Sequence, residues 1–126
     1  MKTPADLVAL AESAGARVEW TPAVERADYF TGTIRVNPRL SESAQVVALA
    51  HELGHHHHGH VGNSPRFEVM ADTYAAGLLI DPDEYAAAER LCEGHAGGMA
   101  RELGVTTAII DAWRRCHKAA LSLIHI

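Results

Sequence analysis

The feature that most constrains this chain is a pair of histidines four residues apart, His51 and His55, with Glu52 directly after the first. On an α-helix, positions i and i+4 lie on one face, so both imidazoles can reach a single metal ion. Glu52 lies about 100° further around the helix. There it is poorly placed to be a third ligand and well placed to take a proton from a water molecule that the metal activates. The spacing therefore predicts a helix that carries a zinc-dependent hydrolase site, most often that of a peptidase.

The surrounding sequence predicts an α+β domain with this motif on its central helix. Ser41 is the expected start of that helix, and Val46, Leu49 and Leu53 recur along its apolar side. Alternating residues predict three short strands, at residues 16–20, 28–30 and 33–37. Capping and stop residues predict five further helices, at residues 4–15, 64–80, 83–92, 99–103 and 106–120. We expect these helices to pack on a small antiparallel sheet.

Composition and charge restrict the class of protein further. The 126 residues fit one domain, and the longest apolar runs are far shorter than a membrane span. No signal-peptide pattern is present at the start of the chain, and Cys92 and Cys116 are too few for a disulfide framework. We therefore expect a cytoplasmic protein with free thiols. The formal net charge of −5 argues against a broad nucleic-acid-binding surface, so we expect no direct nucleic-acid contact.

Residues 121–126 are interpreted as a tail that is not native to the protein. Their sequence, Leu-Ser-Leu-Ile-His-Ile, matches the translation of a transposase-adapter sequence used in DNA library preparation. We therefore assign residues 1–120 to a single domain and give His125 no functional weight.

A catalytic zinc site usually has three protein ligands and one open position, and Glu68 is the preferred third ligand. It lies 13 residues after His55, near the start of the next predicted helix, and the glycine-containing turn between them lets that helix run back beside the first. Asp72 lies one helical turn after Glu68, where it can accept the outer N–H of a ligating histidine. The alternative interpretation of Glu68 is an acid favoured by the dipole at a helix N-terminus.

Four further histidines, His56, His57, His58 and His60, compete for the role of third ligand. The three-histidine pattern of the metzincin peptidases requires glycine at position 58 and histidine at position 61, where this chain has His58 and Val61. That pattern therefore fails. We expect the four side chains to lie on the exposed end of the helix or in its turn, either as a solvated polar surface or as scavengers of nickel or copper.

Three stretches of the chain resemble the ImmA/IrrE family of metallopeptidases. They are residues 33–38 leading into 47–55, residues 68–80, and residues 99–106, within a similarity that extends over residues 15–118. The resemblance implies a zincin-like fold, a zinc ion bound by His51, His55 and Glu68, and Glu52 as general base. It also implies a substrate class, the helix-turn-helix transcriptional repressors, whose cleavage relieves repression. One departure is that the family's second helix often ends Leu-Leu-Met-Pro, whereas residues 79–82 read Leu-Ile-Asp-Pro.

Two interpretations of function stay open at this point. One is a zinc-dependent endopeptidase that cleaves a repressor, and the other is a non-catalytic zinc-binding domain that binds or sequesters a regulator, as in a toxin–antitoxin-like pair. Glu52 favours the enzyme, because a purely structural zinc site has no need of that acid. Tyr74, His95 and His117 are candidates for an additional oxyanion stabiliser, and the sequence does not select one of them.

Overall fold

A computed structural model gives the fold of residues 2–124 and the side-chain environment of residues 2–117. This part of the chain is an α+β domain with six helices and one three-stranded sheet, as the sequence predicted. The elements in chain order are α1 (Pro4–Ser13), β1 (Arg17–Trp20), β2 (Ala27–Phe30), β3 (Thr33–Val36), α2 (Glu42–His58), α3 (Pro65–Leu79), α4 (Pro82–Leu91), α5 (Ala96–Leu103) and α6 (Thr107–Ile124).

The sheet is mixed, so the expectation of an antiparallel sheet is wrong. Its strand order is β1-β3-β2, with β2 antiparallel to β3 and β1 parallel to β3. The hairpin between β2 and β3 turns at Thr31 and Gly32, which both have positive φ. Ile34 and Val36 of β3 are completely buried, whereas β1 and β2 are partly exposed. The most deeply buried strand therefore takes the centre, and β1 pairs along its other edge in the parallel direction.

The predicted central helix is α2, and it carries the histidine motif in its second half. The side chain of Ser41 accepts a hydrogen bond from the backbone N–H of Ala44 and caps its first turn. Leu49 and Leu53 are buried in the core that α2 forms with β3 and the other helices. The helix that packs most closely on α2 is α3, and Gly54 lies at their contact.

The remaining helices match their predicted positions, with small shifts at the ends. The helix α5 begins at Ala96 rather than Met99, because the His95 side chain accepts the backbone N–H of Gly98 and caps the helix earlier. The backbone of residues 121–124 continues α6, while His125 and Ile126 lie outside the described residues. The proposed foreign origin of the tail stays a prediction. Among residues 2–124, no helix has both the length and the apolar character needed to cross a membrane.

Candidate metal centre

Two histidines and one glutamate converge at the contact between α2 and α3. His51 and His55 lie one turn apart on α2, and their rings meet edge to face with centroids 4.9 Å apart. Glu68, in the first turn of α3, reaches both rings. Its Oε2 lies 2.7 Å from Nε2 of His51, and its Oε1 lies 3.2 Å from Nε2 of His55. Two imidazole nitrogens and one carboxylate are the donors of the glutamate-ligand class of catalytic zinc sites.

Glu52 is buried beside these donors, with 6% of its surface exposed. Its Oε1 lies 4.0 Å from Nε2 of His51, and its Oε2 has no hydrogen-bond partner among the described residues. A buried polar atom without a partner costs about 1–3 kcal/mol. The donor atoms of His51, Glu52 and His55 all lie within 4.8 Å of one another. This unpartnered oxygen next to two imidazoles fits a bound metal ion with its associated water.

Asp72 holds the ring of His51 from the side opposite Glu68. Oδ1 of Asp72 lies 2.8 Å from Nδ1 of His51, so the Nδ1–H of His51 donates to this carboxylate. A histidine whose outer nitrogen carries the proton keeps its inner nitrogen, here Nε2, free for a metal. The structure thus places Asp72 one turn after Glu68 and next to His51, where the i, i+4 spacing predicted it.

Burial and the local charges shift the pKa values of the three motif residues in different directions. Burial opposes protonation of His51, but the hydrogen bond to Asp72 and the charges of Glu52, Asp72 and Glu68 raise its pKa to about 9. Burial lowers the pKa of His55. Burial also raises the pKa of Glu52 to about 7, although the charge of His51 acts in the opposite direction. A metal must therefore displace a proton from His51, and Glu52 can exchange a proton near neutral pH.

These groups line an open cleft of about 1000 Å³. The cleft is bounded by β2, α2, the turn at residues 60–63, α3 and the start of α6. Phe30 and Val61 also line it and are 78% and 86% exposed. These two side chains add exposed apolar surface to a cleft that contains the charged donors.

Comparison with known protein families places this chain in one family. The model of the IrrE N-terminal-like domain, the peptidase M78 family, matches residues 9–112. The chain belongs to this family. The match confirms the resemblance that the sequence motifs indicated and supports a metallopeptidase-type domain. Searches among curated proteins and among solved structures gave no match.

In this member of the IrrE N-terminal-like family, the three histidines that continue α2 lie in different environments. His57 and His58 are exposed, as expected. His56 is half-buried, and its Nε2–H donates to the carbonyl oxygen of Ala14 at 2.8 Å. Its Nδ1 then accepts the O–H of Tyr29 at 2.9 Å. His56 therefore connects α2 by hydrogen bonds to the β2–β3 hairpin and to the end of α1.

The expectation that His60 is exposed is wrong. His60 is 8% exposed, and its Nδ1 lies 2.9 Å from Nδ1 of His55. The cause is a Schellman motif at the end of α2, in which Gly59 adopts the left-handed conformation with φ of 65°. The N–H of Gly59 bonds to the carbonyl of His56, and the N–H of His60 bonds to the carbonyl of His55 at 3.0 Å. This motif packs the residue after the glycine against the last helical turn, so Gly59 is the signal that could have identified His60.

The three candidates for an oxyanion stabiliser lie away from the cleft. Tyr74 packs on His57, with ring centroids 4.8 Å apart. His95 caps α5, and His117 stacks on Trp113 with centroids 3.8 Å apart. Each has a structural role, and none is among the described residues that line the cleft.

Proposed function

We propose that this protein is a zinc-dependent endopeptidase that cleaves a helix-turn-helix transcriptional repressor in the cytoplasm and so relieves repression. In this proposal His51, His55 and Glu68 hold the zinc ion, and Glu52 is the general base. Membership of a metallopeptidase family supports the enzymatic part. The repressor as substrate is supported by the resemblance to the ImmA/IrrE family. The single observation that carries the catalytic assignment is the buried Glu52 carboxylate, whose Oε2 lacks a partner in the cleft.

The residues of the cleft account for the proton transfers of peptide hydrolysis. When bound, zinc supplies Lewis-acid activation of a water molecule and of the scissile carbonyl. Glu52 accepts the proton of that water as the new C–O bond forms, and it delivers the proton to the amine nitrogen as the C–N bond breaks. In the metal-free protein, burial raises the pKa of this carboxyl group to about 7, which makes it a stronger base than an exposed glutamate. Asp72 accepts the Nδ1–H of His51, which fixes this ring and raises the basicity of its Nε2.

The shape of the cleft supports a polypeptide substrate. Within the described sheet, β2 is an outer strand that lines the cleft, so its outer backbone groups can pair with an extended peptide. Phe30 and Val61 offer exposed apolar surface for the side chains of such a peptide.

The test is incubation of the zinc-loaded protein with the repressor encoded beside its gene, with mass spectrometry of the products. Glu52→Gln should retain zinc but abolish cleavage, because the amide cannot accept the proton. Glu89→Gln makes the same chemical change at an exposed position on α4 and should cleave at the wild-type rate. Normal cleavage by Glu52→Gln would refute the general-base role. Tight binding of the intact repressor without cleavage by the wild type would instead favour the rival function, a non-catalytic domain that sequesters a regulator.

A further inference from the structure

We propose that His60 is a positioning residue of the metal centre, which accepts the Nδ1–H of His55 and so leaves Nε2 of His55 free for the metal. The inference rests on the proposed function, since it takes His55 to be a metal ligand. Its structural basis is the contact of 2.9 Å between the two Nδ1 atoms, which is buried from solvent.

A contact between two neutral imidazole nitrogens contains one proton, which belongs to one ring or the other. If His60 donated it, His55 would carry its own proton on Nε2, the atom that lies 3.2 Å from Glu68, and could not ligate there. If His55 donates it, Nε2 keeps its lone pair. Only the second arrangement is compatible with a metal between His55 and Glu68, and it requires His60 to be the acceptor.

The ring of His60 is held in place by stacking rather than by a second hydrogen bond. Phe67 stacks on it with centroids 4.0 Å apart and planes 11° apart, and His58 lies nearly parallel at 5.2 Å. The Nε2 of His60 is buried and has no hydrogen-bond partner among the described residues. An apolar side chain could fill this stacked position without the cost of an unpartnered nitrogen. The Nδ1 acceptor therefore gives histidine a function at a position where a Schellman motif usually places an apolar residue.

With His60 in this role, both histidine ligands have an acceptor on their outer nitrogen. His51 donates to the carboxylate of Asp72, and His55 donates to an imidazole. Such acceptors orient ligating histidines in nearly all protein metal sites. A carboxylate in place of His60 would bury a further negative charge in a cleft that already contains Glu52 and Glu68. A neutral imidazole supplies the acceptor without that charge.

Three variants of the full chain separate this role from packing. His60→Leu keeps bulk and removes the acceptor, whereas His60→Asn places an amide oxygen near the position of Nδ1. His57→Leu makes the same apolar change at an exposed histidine of the same run. Zinc affinity is measured by competition with a chelator, and the cobalt-loaded proteins are compared by their visible absorption spectra. We expect His60→Leu to lose about 10–100-fold in affinity, His60→Asn to remain within a few-fold of wild type, and His57→Leu to be unchanged.

Folded His60→Leu protein that binds zinc as tightly as wild type would overturn the proposal. An equal loss in His60→Asn and His60→Leu would also overturn it, because a packing role would then explain both. A different result bears on the proposed function alone: if the wild type does not bind zinc, or if His55→Ala binds it normally, the ligand assignment fails.

A measurement on the wild type keeps the proposal testable even if the leucine variant does not fold. Long-range ¹H–¹⁵N spectra of the zinc-loaded protein report which ring nitrogen of each histidine carries the proton. The proposal requires the proton of His55 on Nδ1 and that of His60 on Nε2. A proton on Nδ1 of His60 would refute it.

Discussion

A methyl group added to Gly54 would lie 2.9 Å from both the Cα and the carbonyl oxygen of Ala71, closer than side-chain carbons approach a backbone. Glycine at position 54 therefore allows α3 to pack directly on α2. Glu68 and Asp72 stand on the face of α3 that meets His51, so the distances within the candidate metal centre depend on this close contact.

Gly54→Ala should destabilise the domain and weaken metal binding together. The added methyl group meets backbone atoms that cannot rotate away, and overpacking of this kind costs about 1–3 kcal/mol. Gly77→Ala is the matched control, because a methyl group there meets nothing within 4 Å and alanine is the better helix former. Denaturant unfolding and zinc competition measure the two effects. Equal stability and equal zinc affinity of the two variants would show that the α2–α3 contact can accommodate a methyl group at position 54.

The metal-free protein should lose stability as the pH rises from 6 to 9. The pKa of Glu52 is raised to about 7 in the folded state, so the folded protein binds more protons than the unfolded chain between about pH 4.5 and 7. The pKa of His51 is raised to about 9, so its contribution is complete below about pH 6.5 and is lost as the pH approaches and passes 9. Both contributions therefore decrease the free energy of unfolding as the pH rises.

Denaturant unfolding in the presence of a chelator measures this dependence. Glu52→Gln should remove the part of the slope below pH 7 and reduce the part due to His51, because the charge of Glu52 helps to raise the pKa of His51. Excess zinc should reverse the trend, because the metal binds deprotonated histidines and binds most tightly to the folded state, in which the donors converge. A stability that rises between pH 6 and 9 without metal would contradict the assigned charge interactions.

Asp72→Ala should weaken zinc binding by about 10–100-fold while leaving the fold intact. The ring of His51 would lose its acceptor at Nδ1, and its pKa in the metal-free protein should fall below the wild-type value of about 9. Chelator competition gives the affinity, and an NMR titration of the histidine ring gives the pKa. Asp111→Ala, an exposed change on α6, is the control and should alter neither. An unchanged pKa of His51 in Asp72→Ala would show that this hydrogen bond does not hold the ring.

Phe30→Ala should raise KM for a repressor substrate and leave kcat nearly unchanged. Phe30 is 78% exposed at the cleft, so its removal takes away binding surface without disturbing the core or the metal donors. Leu91→Ala removes a similarly exposed apolar side chain, 67% exposed, at a position outside the cleft. In steady-state kinetics, KM should therefore rise for Phe30→Ala and stay at the wild-type value for Leu91→Ala. A Phe30→Ala enzyme with wild-type KM would place the substrate elsewhere.

Local patterns predicted most of the elements, because helices and hairpins depend on residues close together in the chain. The helix start at Ser41, the spacing of apolar residues along α2 and the two strands on either side of the hairpin turn all appear in the structure as expected. The pairing of the strands could not be predicted in the same way. Alternation identifies a strand but not its neighbours, which depend on tertiary packing, and in the structure β3 is central with Ile34 and Val36 fully buried.

The sequence by itself determined that His51, Glu52 and His55 occupy neighbouring positions around one helix, because helical geometry follows from spacing alone. The i, i+4 spacing likewise put Glu68 and Asp72 on one face of α3. Only the tertiary structure decided that this face meets the two histidines, since that depends on the approach of two helices.

The tertiary structure also decided which of the trailing histidines reaches the centre. His57 and His58 are nearer to His55 along the chain, yet His60 is the one that contacts it. The helix carries His57 and His58 to its exposed side, whereas the left-handed turn at Gly59 reverses the chain and packs His60 onto the last turn. The helix therefore directs His57 and His58 away from His55, although they are closer to it in sequence. The turn at Gly59 brings His60 back into contact with His55.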